Sequence, residues 1–242
     1  AELQLEYEEA FKVVKEGLAP LGERYQELLQ EAHDNGWIDV EETDGKRSGA
    51  YSASVYGLPH PYVLLNYQKT TGNVFTLAHE LGHAYHNLCT NDAPVLMSDY
   101  PMPLAETASI FNETLLMEKT LATADDATKI TLLEQQIGDA AQVIVDILSR
   151  FLFESEVIER RKDSVPTAGE LCEIMLDAQK QTYGDGLDPD CMHPYMWACK
   201  SHYYSSGLNF YNFPYAFGEL FGKGVFAQYL KEGDAFVPKY CQ

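Results

Sequence analysis

The sequence predicts a mainly helical protein with a small β-sheet, organised as one domain over residues 1–242. Apolar residues recur at helical spacing over most of the chain. One stretch, residues 37–70, is instead rich in Tyr, Val, Gly and Pro, which favours short strands. No internal repeat or low-complexity linker divides the sequence. Its composition, with 45% hydrophobic and 22% charged residues, is typical of a globular protein and excludes extended disorder.

The first part of the chain is predicted to form two helices followed by strands. Helical spacing covers residues 2–35, where Pro20 divides the run and Gly36 ends it. Two or three strands are predicted to follow, with strand-like runs at residues 51–56 and 62–67. The second of these runs is consistent with an edge strand that pairs with an extended peptide, and equally with an ordinary core strand.

The rest of the chain is predicted to be helical. A loop over residues 90–103, which contains three prolines, interrupts it. Thr167 has the character of a helix N-cap, because Glu170 follows it at capping-box spacing. The predicted helices cover residues 73–89, 104–121, 126–161 and 167–183, with two more inside the aromatic-rich region 195–229, where Pro214 lies near the start of the second.

The net charge limits the classes of binding partner, and the cysteines indicate the cellular compartment. A net charge of −20 argues against nucleic acid and anionic membranes as partners, because few cations are available to neutralise phosphates. No run approaches the roughly 18 apolar residues of a membrane span, and no signal peptide is visible. The five cysteines are scattered, without paired spacing. We therefore expect a cytoplasmic protein with reduced thiols.

The motif His79-Glu-Leu-Gly-His83 carries the chemistry of this sequence. On a helix, positions i and i+4 share one face, so the two imidazoles converge on one point. Zinc accepts imidazole nitrogen, and a catalytic zinc site has three protein ligands plus one water. Glu80, next to the first histidine, is placed to take a proton from that water. The motif therefore predicts one Zn²⁺ ion and metal-assisted hydrolysis.

A third protein ligand is expected among the carboxylates that follow the motif. The candidates are Asp92, Asp99, Glu106, Glu113 and Glu118. The two aspartates lie in the predicted loop, where a rigid ligand is harder to hold. Glu106 lies early in the next helix, and Glu113 lies seven residues later on the same face. We favour Glu106 as the ligand and Glu113 as the group that orients a ligand histidine, with Glu113 as the next candidate for the metal.

Several segments together resemble one family of zinc peptidases. They are His79-Glu-Leu-Gly-His-Ala-Tyr-His86, Ala105-Glu-Thr-Ala-Ser109, Gly45-Lys-Arg-Ser-Gly-Ala-Tyr51, His202-Tyr-Tyr204, Asn212-Phe-Pro-Tyr-Ala-Phe-Gly218 and Leu220-Phe-Gly222. Between residues 45 and 230 they follow the order found in the oligoendopeptidase F branch of the thimet oligopeptidase family. Members of that family carry a long helical segment before the matched region. The chain is therefore expected to be their catalytic region, as part of a longer enzyme or as a small natural version.

The resemblance implies a zincin-like (gluzincin) helical catalytic domain with a small β-sheet beside the helix of the His-Glu-x-x-His motif. It also implies His79, His83 and Glu106 as zinc ligands and Glu80 as the general base. His202 and Tyr215 are implied to bind the substrate and to stabilise the oxyanion, with Tyr204 and Tyr211 as competing tyrosines. Imidazole N–H and phenol hydroxyl groups are suitable donors for that task.

The resemblance implies an endopeptidase that cleaves short, unstructured peptides. Two other readings stay open on the sequence alone. A zinc carboxypeptidase would carry the same motif, and a zinc-stabilised domain that binds peptides without cleaving them would carry the same ligands. The presence of Glu80 speaks against the second, because a structural zinc site prefers four protein ligands and needs no base. The sequence predicts no oligomeric state.

Overall fold

A computed structural model describes residues 4–55, 57–91 and 93–240 of the chain. Within these ranges the strands are β1 (Ile38–Asp39), β2 (Ala50–Ala53) and β3 (Tyr62–Leu65). The helices are α1 (Tyr7–Gly17), α2 (Glu23–Asp34), α3 (Thr71–Thr90), α4 (Met102–Thr123), α5 (Asp126–Ala141), α6 (Ile147–Arg160), α7 (Ala168–Tyr183), α8 (Phe213–Glu232) and α9 (Val237–Tyr240). The predicted fold class, mainly helical with a small sheet, is confirmed.

The contacts divide the chain into two compact units. The first unit combines residues 1–132 with residues 218–242, and the second covers residues 133–217. The first unit contains the sheet, α1 to α4 and the greater part of α8. The second contains most of α5 together with α6 and α7. The prediction that residues 1–242 form a single domain stays a prediction.

β3 is the central strand of the three-stranded sheet. It pairs in parallel with β1 and antiparallel with β2, so the strand order is β1-β3-β2. Of the two interpretations of the run at 62–66, the core strand is therefore the one observed. β1 and β2 are therefore the two edge strands of the sheet. β2 occupies the first part of the predicted run 51–56; Tyr56 lies outside the described residues.

Lys46 holds the loop between β1 and β2 against the sheet. Its side chain is 5% exposed. Its ammonium group donates to the carbonyl oxygen of Leu65 at 3.1 Å and of Glu41 at 2.6 Å, and to the Asp39 carboxylate at 2.9 Å. A buried ammonium group needs such partners, because it would otherwise lose its hydration without compensation. The bonds therefore hold this loop beside β1 and the end of β3.

α3 begins at a side-chain cap and buries its apolar face in the core of the first unit. Thr70 accepts the N–H of Asn73 at 3.2 Å, and the Asn73 side chain accepts the N–H of Thr70 in return. This capping box starts the helix two residues before the predicted position. The face that carries Leu77, Ala78 and Leu81 has no measurable exposure.

Gly82 allows α3 and α4 to lie in direct backbone contact. A Cβ atom added at Gly82 would lie 2.7 Å from both the carbonyl oxygen of Ala108 and the Cα of Ser109. One turn earlier, the side chain of Asn112 donates to the Ala78 carbonyl at 2.9 Å and to the Tyr25 hydroxyl at 2.6 Å. Asn112 is fully buried. These contacts fix the position of α4 relative to the helix that carries the zinc motif.

Replacing Gly82 with Ala should therefore destabilise the protein. The new methyl group would overlap backbone atoms, which cannot rotate away, so α3 and α4 must separate. We expect the free energy of unfolding to fall by about 2–3 kcal/mol, measured by urea unfolding. Gly138→Ala is the matched control, because a Cβ at that helical glycine meets nothing within 4 Å and Ala is the better helix former. Equal stability of the two variants would contradict the close approach.

The second unit has its own apolar core between α6 and α7. Its buried members are Phe153, Ile174, Met175 and Ala178. Thr167 caps α7, since it accepts the N–H of Glu170 and Glu170 accepts the N–H of Thr167, which confirms the predicted capping box.

One prediction for this part of the chain was right except in detail, and one was wrong. The helix predicted over 126–161 contains a π-helical segment at Gln142–Asp146, between α5 and α6. The first of the two helices predicted within 195–229 is absent from the structure. That stretch instead forms short 3₁₀ turns, at Met196–Cys199 and Ser201–Tyr204. The second predicted helix is α8, with Pro214 in its first turn.

No helix within the described ranges combines the length and the apolar character needed to cross a lipid bilayer. The cytoplasmic location and the exclusion of nucleic acid and membrane partners stay predictions.

Candidate metal centre

The predicted metal ligands lie on two helices of the first unit. His79 and His83 lie one turn apart on α3, and Glu106 lies near the start of α4. Their side chains are only 15–22% exposed. Among the described residues, this is the one group of His, Cys, Asp or Glu side chains that has at least three members with ligand atoms within 4.8 Å of one another.

The three donor atoms form a nearly equilateral triangle. Nε2 of His79 lies 3.1 Å from Nε2 of His83. Oε2 of Glu106 lies 3.2 Å from the first nitrogen and 3.3 Å from the second. A tetrahedral zinc ion with bonds of about 2.0–2.1 Å places neighbouring donor atoms about 3.3–3.4 Å apart. The residues present therefore fit zinc in both donor chemistry and spacing, and three donors leave one coordination position for water.

The charges of the cluster favour a cation at its centre. Burial lowers the pKa of His79, but the carboxylates of Glu106 and Glu113 outweigh burial and raise the pKa to about 10. Burial acts in the opposite sense on Glu106, yet the two imidazoles hold the pKa of that carboxyl far below its usual range. At neutral pH these pKa shifts keep His79 protonated when no metal is bound. A metal ion binds by displacing that proton, so a divalent cation would supply the positive charge in its place.

Glu113 contacts His79 on the side of the ring that faces away from the triangle. Its Oε1 accepts a hydrogen bond from Nδ1 of His79. This bond keeps a proton on Nδ1, so the proton that a metal displaces is the one on Nε2, which points into the triangle.

Replacing Glu113 with Ala should weaken zinc binding about 10–100-fold, because His79 loses the acceptor that fixes its ring and tautomer. Competition with a chromophoric chelator measures this affinity. Glu118→Ala is the matched control, since Glu118 is an exposed carboxylate on the same helix. An E113A variant that binds zinc as tightly as E118A would rule out this role.

Glu80 is buried next to the cluster, with one carboxylate oxygen left without a hydrogen-bond partner in the described part of the chain. It is 5% exposed, and its Oε2 has no partner among the described residues. Burial raises the pKa of its carboxyl. A carboxylate without a partner is costly in a protein interior. Oε2 of Glu80 is therefore available to accept a hydrogen bond or a proton from a water molecule.

Two of the other candidate carboxylates, Asp99 and Glu118, do not join the cluster. Asp99 and Glu118 are exposed, and neither belongs to the three-residue group. Asp92 lies outside the described residues.

The sequence analysis missed Ser109. Its side chain is fully buried, and its hydroxyl lies 3.1 Å from Oε2 of Glu106 and 3.0 Å from the Glu106 carbonyl oxygen, so it can donate to either. The i, i+3 spacing from Glu106 was the available signal, but it indicates a contact only once the Glu106 side chain is known to be half-buried beside Ser109.

Three of the four predicted substrate-contacting side chains form a row of rings within the second unit. The ring centroids of His202 and Tyr211 are 5.9 Å apart, and those of Tyr211 and Tyr215 are 6.4 Å apart. Burial, together with the charges of Arg150 and Lys200, lowers the pKa of His202. Tyr204 differs, because it is 67% exposed and its hydroxyl donates to the Ala198 carbonyl at 3.2 Å.

Known proteins with similar sequences are peptidases. The family model described as peptidase family M3 matches residues 4–239. The chain is 35% identical to oligopeptidase PepF of Bacillus subtilis strain 168 over 243 residues, which cover 99% of this chain and 36% of that protein. It is 37% identical to the chromosomal oligoendopeptidase F of Lactococcus lactis subsp. cremoris over 215 residues, which cover 88% of this chain and 35% of the relative.

A solved structure supports the same relationship. The crystal structure of a peptidase from Chlamydophila abortus matches with a TM-score of 0.77 and 33% identity, over 100% of this chain and 40% of that one. The chain thus spans little more than a third of the length of the two sequence relatives. The resemblance to oligoendopeptidase F found in the motifs is confirmed.

Proposed function

This chain belongs to peptidase family M3, and we propose that it is a zinc-dependent endopeptidase that acts on short, unstructured peptides. The observation that carries the proposal is the triangle of His79, His83 and Glu106 beside the buried carboxylate of Glu80. The relatives' names, oligopeptidase and oligoendopeptidase, support internal cleavage of short chains. Because the chain spans about a third of those relatives, its own activity is part of the proposal.

The proposed chemistry assigns one role to each side chain. His79, His83 and Glu106 would hold one Zn²⁺ ion, which when bound supplies a Lewis acid for a peptide carbonyl and for water. Glu80 accepts a proton from the attacking water and then donates it to the leaving amine nitrogen. The low exposure of Glu80 supports this role, because a carboxylate shielded from bulk water is a stronger base toward a nearby proton.

Peptide binding is proposed to involve the outer edge of β2. β2 pairs with β3 on one side, and no other described strand pairs with it. Its outer edge offers backbone groups to an extended peptide without reading side chains, which suits a peptidase of broad specificity. His202 and Tyr215 are proposed as donors to the substrate carbonyl, with Tyr211 and Tyr204 as substrate contacts, on the strength of the resemblance.

The test combines metal analysis with a digestion. The 242-residue chain would be loaded with zinc, dialysed and assayed for metal, and then incubated with a mixture of peptides of known sequence. We expect one zinc ion per chain and internal cuts seen by mass spectrometry. A chelator should stop the cleavage, and added zinc should restore it.

Other results would select the other readings. Release of single residues from the carboxyl end would indicate a carboxypeptidase. Stoichiometric zinc with peptide binding but no cleavage would indicate a peptide-binding domain. A chain that binds no zinc would refute the metal centre itself.

A further inference from the structure

α8 passes very close to Glu106 at one glycine. A Cβ atom added at Gly218 would lie 2.5 Å from the Cβ of Glu106 and 3.4 Å from its Cγ. Ordinary van der Waals contact between carbon atoms needs about 3.5–4.0 Å, so a methyl group at this position overlaps Glu106 by roughly 1 Å. Gly218 and Glu106 both belong to the first unit.

The close approach continues for one more turn and is confined to one face of α8. A Cβ atom at Gly222 would lie 3.1 Å from Cγ2 of Ile110 and 3.3 Å from the Thr107 carbonyl oxygen. Glu106 and Ile110 are four residues apart on α4, as the two glycines are on α8, so the two i, i+4 faces oppose each other. Gly224, on the same helix, would meet nothing within 4 Å.

The contact is to the part of Glu106 that has least freedom to move. A Cβ atom is fixed by the backbone, so no change of rotamer can remove the overlap. α4 also has backbone contacts on another side, where Gly82 of α3 meets Ala108 and Ser109. The start of α4 therefore has close neighbours in both α3 and α8, and Glu106 lies between them.

We propose that Gly218 is a positioning residue for the metal centre, which sets the distance of Glu106 from the two histidines. This inference rests on the proposed role of Glu106 as a zinc ligand. Oε2 of Glu106 lies 3.2–3.3 Å from both imidazole nitrogens. A metal site tolerates displacement of its ligands by only about 0.5 Å. Gly218 lets α8 lie directly behind the Glu106 side chain, so that its carboxylate stays within that range.

The test compares three glycine-to-alanine variants on one helix. Zinc affinity is measured by chelator competition on the full chain, and the absorption spectrum of the cobalt-loaded form reports ligand geometry. Gly218→Ala should weaken zinc binding about 10–100-fold and change the cobalt spectrum, as loss of a group that orients a ligand does. Gly222→Ala should weaken zinc binding only a few-fold, because its shortest contact would be 3.1 Å. Gly224→Ala should match the wild type, because a Cβ atom there meets nothing within 4 Å.

Thermal unfolding of the metal-free proteins separates positioning from general packing. If Gly218→Ala lowers the melting temperature but leaves zinc affinity and the cobalt spectrum unchanged, the glycine serves packing alone and the proposal is overturned. If that variant fails to fold, the milder Gly222→Ala decides, and wild-type zinc affinity in Gly222→Ala overturns the proposal. Failure of the wild-type chain to bind zinc would instead refute the proposed function.

Discussion

Replacing Glu80 with Gln is expected to reduce peptide hydrolysis by about 10³-fold or more, while zinc stays bound. The amide is close in size to the carboxylate, but it cannot accept a proton from water. Glu80 is 5% exposed, and its Oε2 has no partner among the described residues. Removal of its charge therefore breaks no hydrogen bond in the described part of the chain, and folding should be preserved.

The experiment measures kcat on a fluorogenic peptide together with the zinc content of the same preparation. Glu118→Gln is the control, because it removes one carboxylate from the exposed face of α4 and should leave both quantities unchanged. A Glu80→Gln chain that keeps its zinc and retains more than a tenth of the wild-type rate would show that another group accepts the proton.

Replacing Glu106 with Ala is expected to have the second-largest effect, on zinc affinity. Zinc binding to protein sites releases about 10–16 kcal/mol, so the loss of one ligand among four positions should cost about 3 kcal/mol or more. That corresponds to a loss of affinity on the order of 10²- to 10³-fold. The two remaining imidazoles would also lose the carboxylate that attracts positive charge to the cluster.

Metal analysis after dialysis against a zinc buffer, with chelator competition, measures this effect. Glu113→Ala provides the internal comparison. Glu113 contacts Nδ1 of His79, so its loss should lower zinc affinity less than the loss of Glu106 does. If Glu106→Ala keeps full affinity and Glu113→Ala loses it, Glu113 is the ligand and the two roles are exchanged.

The helix that carries the motif and the proximity of Glu106 to the two histidines were predictable from the sequence, and for a physical reason. The i, i+4 spacing of His79 and His83 fixes their common face whatever the rest of the chain does. The loop over 90–103 is long enough to bring a second helix alongside, so the first carboxylate of that helix was the natural partner. Glu113 followed from the same helical period.

The contacts that position those residues were not predictable. Gly82 and Gly218 matter because of atoms on other helices, and nothing in the local sequence reports how close two helices lie. Ser109 is significant because its own side chain is fully buried against Glu106. Such features depend on tertiary packing, which a single sequence does not display.

The errors in the second unit also have identifiable causes. A π-helical segment adds one residue to a turn without changing the composition, so the apolar pattern of 126–161 still resembled one helix. In the aromatic-rich region, the aromatic side chains pack on one another, as His202 and Tyr211 do, and not along one face of a helix. Phe210 has a positive φ of 54°, and Glu154 accepts its N–H at 3.0 Å. A backbone in that conformation cannot continue an α-helix.

The most direct measurement of the central claim is an anomalous difference map at the zinc edge from crystals of the zinc-loaded chain. We expect one peak, bonded to Nε2 of His79, Nε2 of His83 and a carboxylate oxygen of Glu106, with water in the remaining position. A peak away from these atoms, or a fourth side chain that closes the coordination shell, would contradict it.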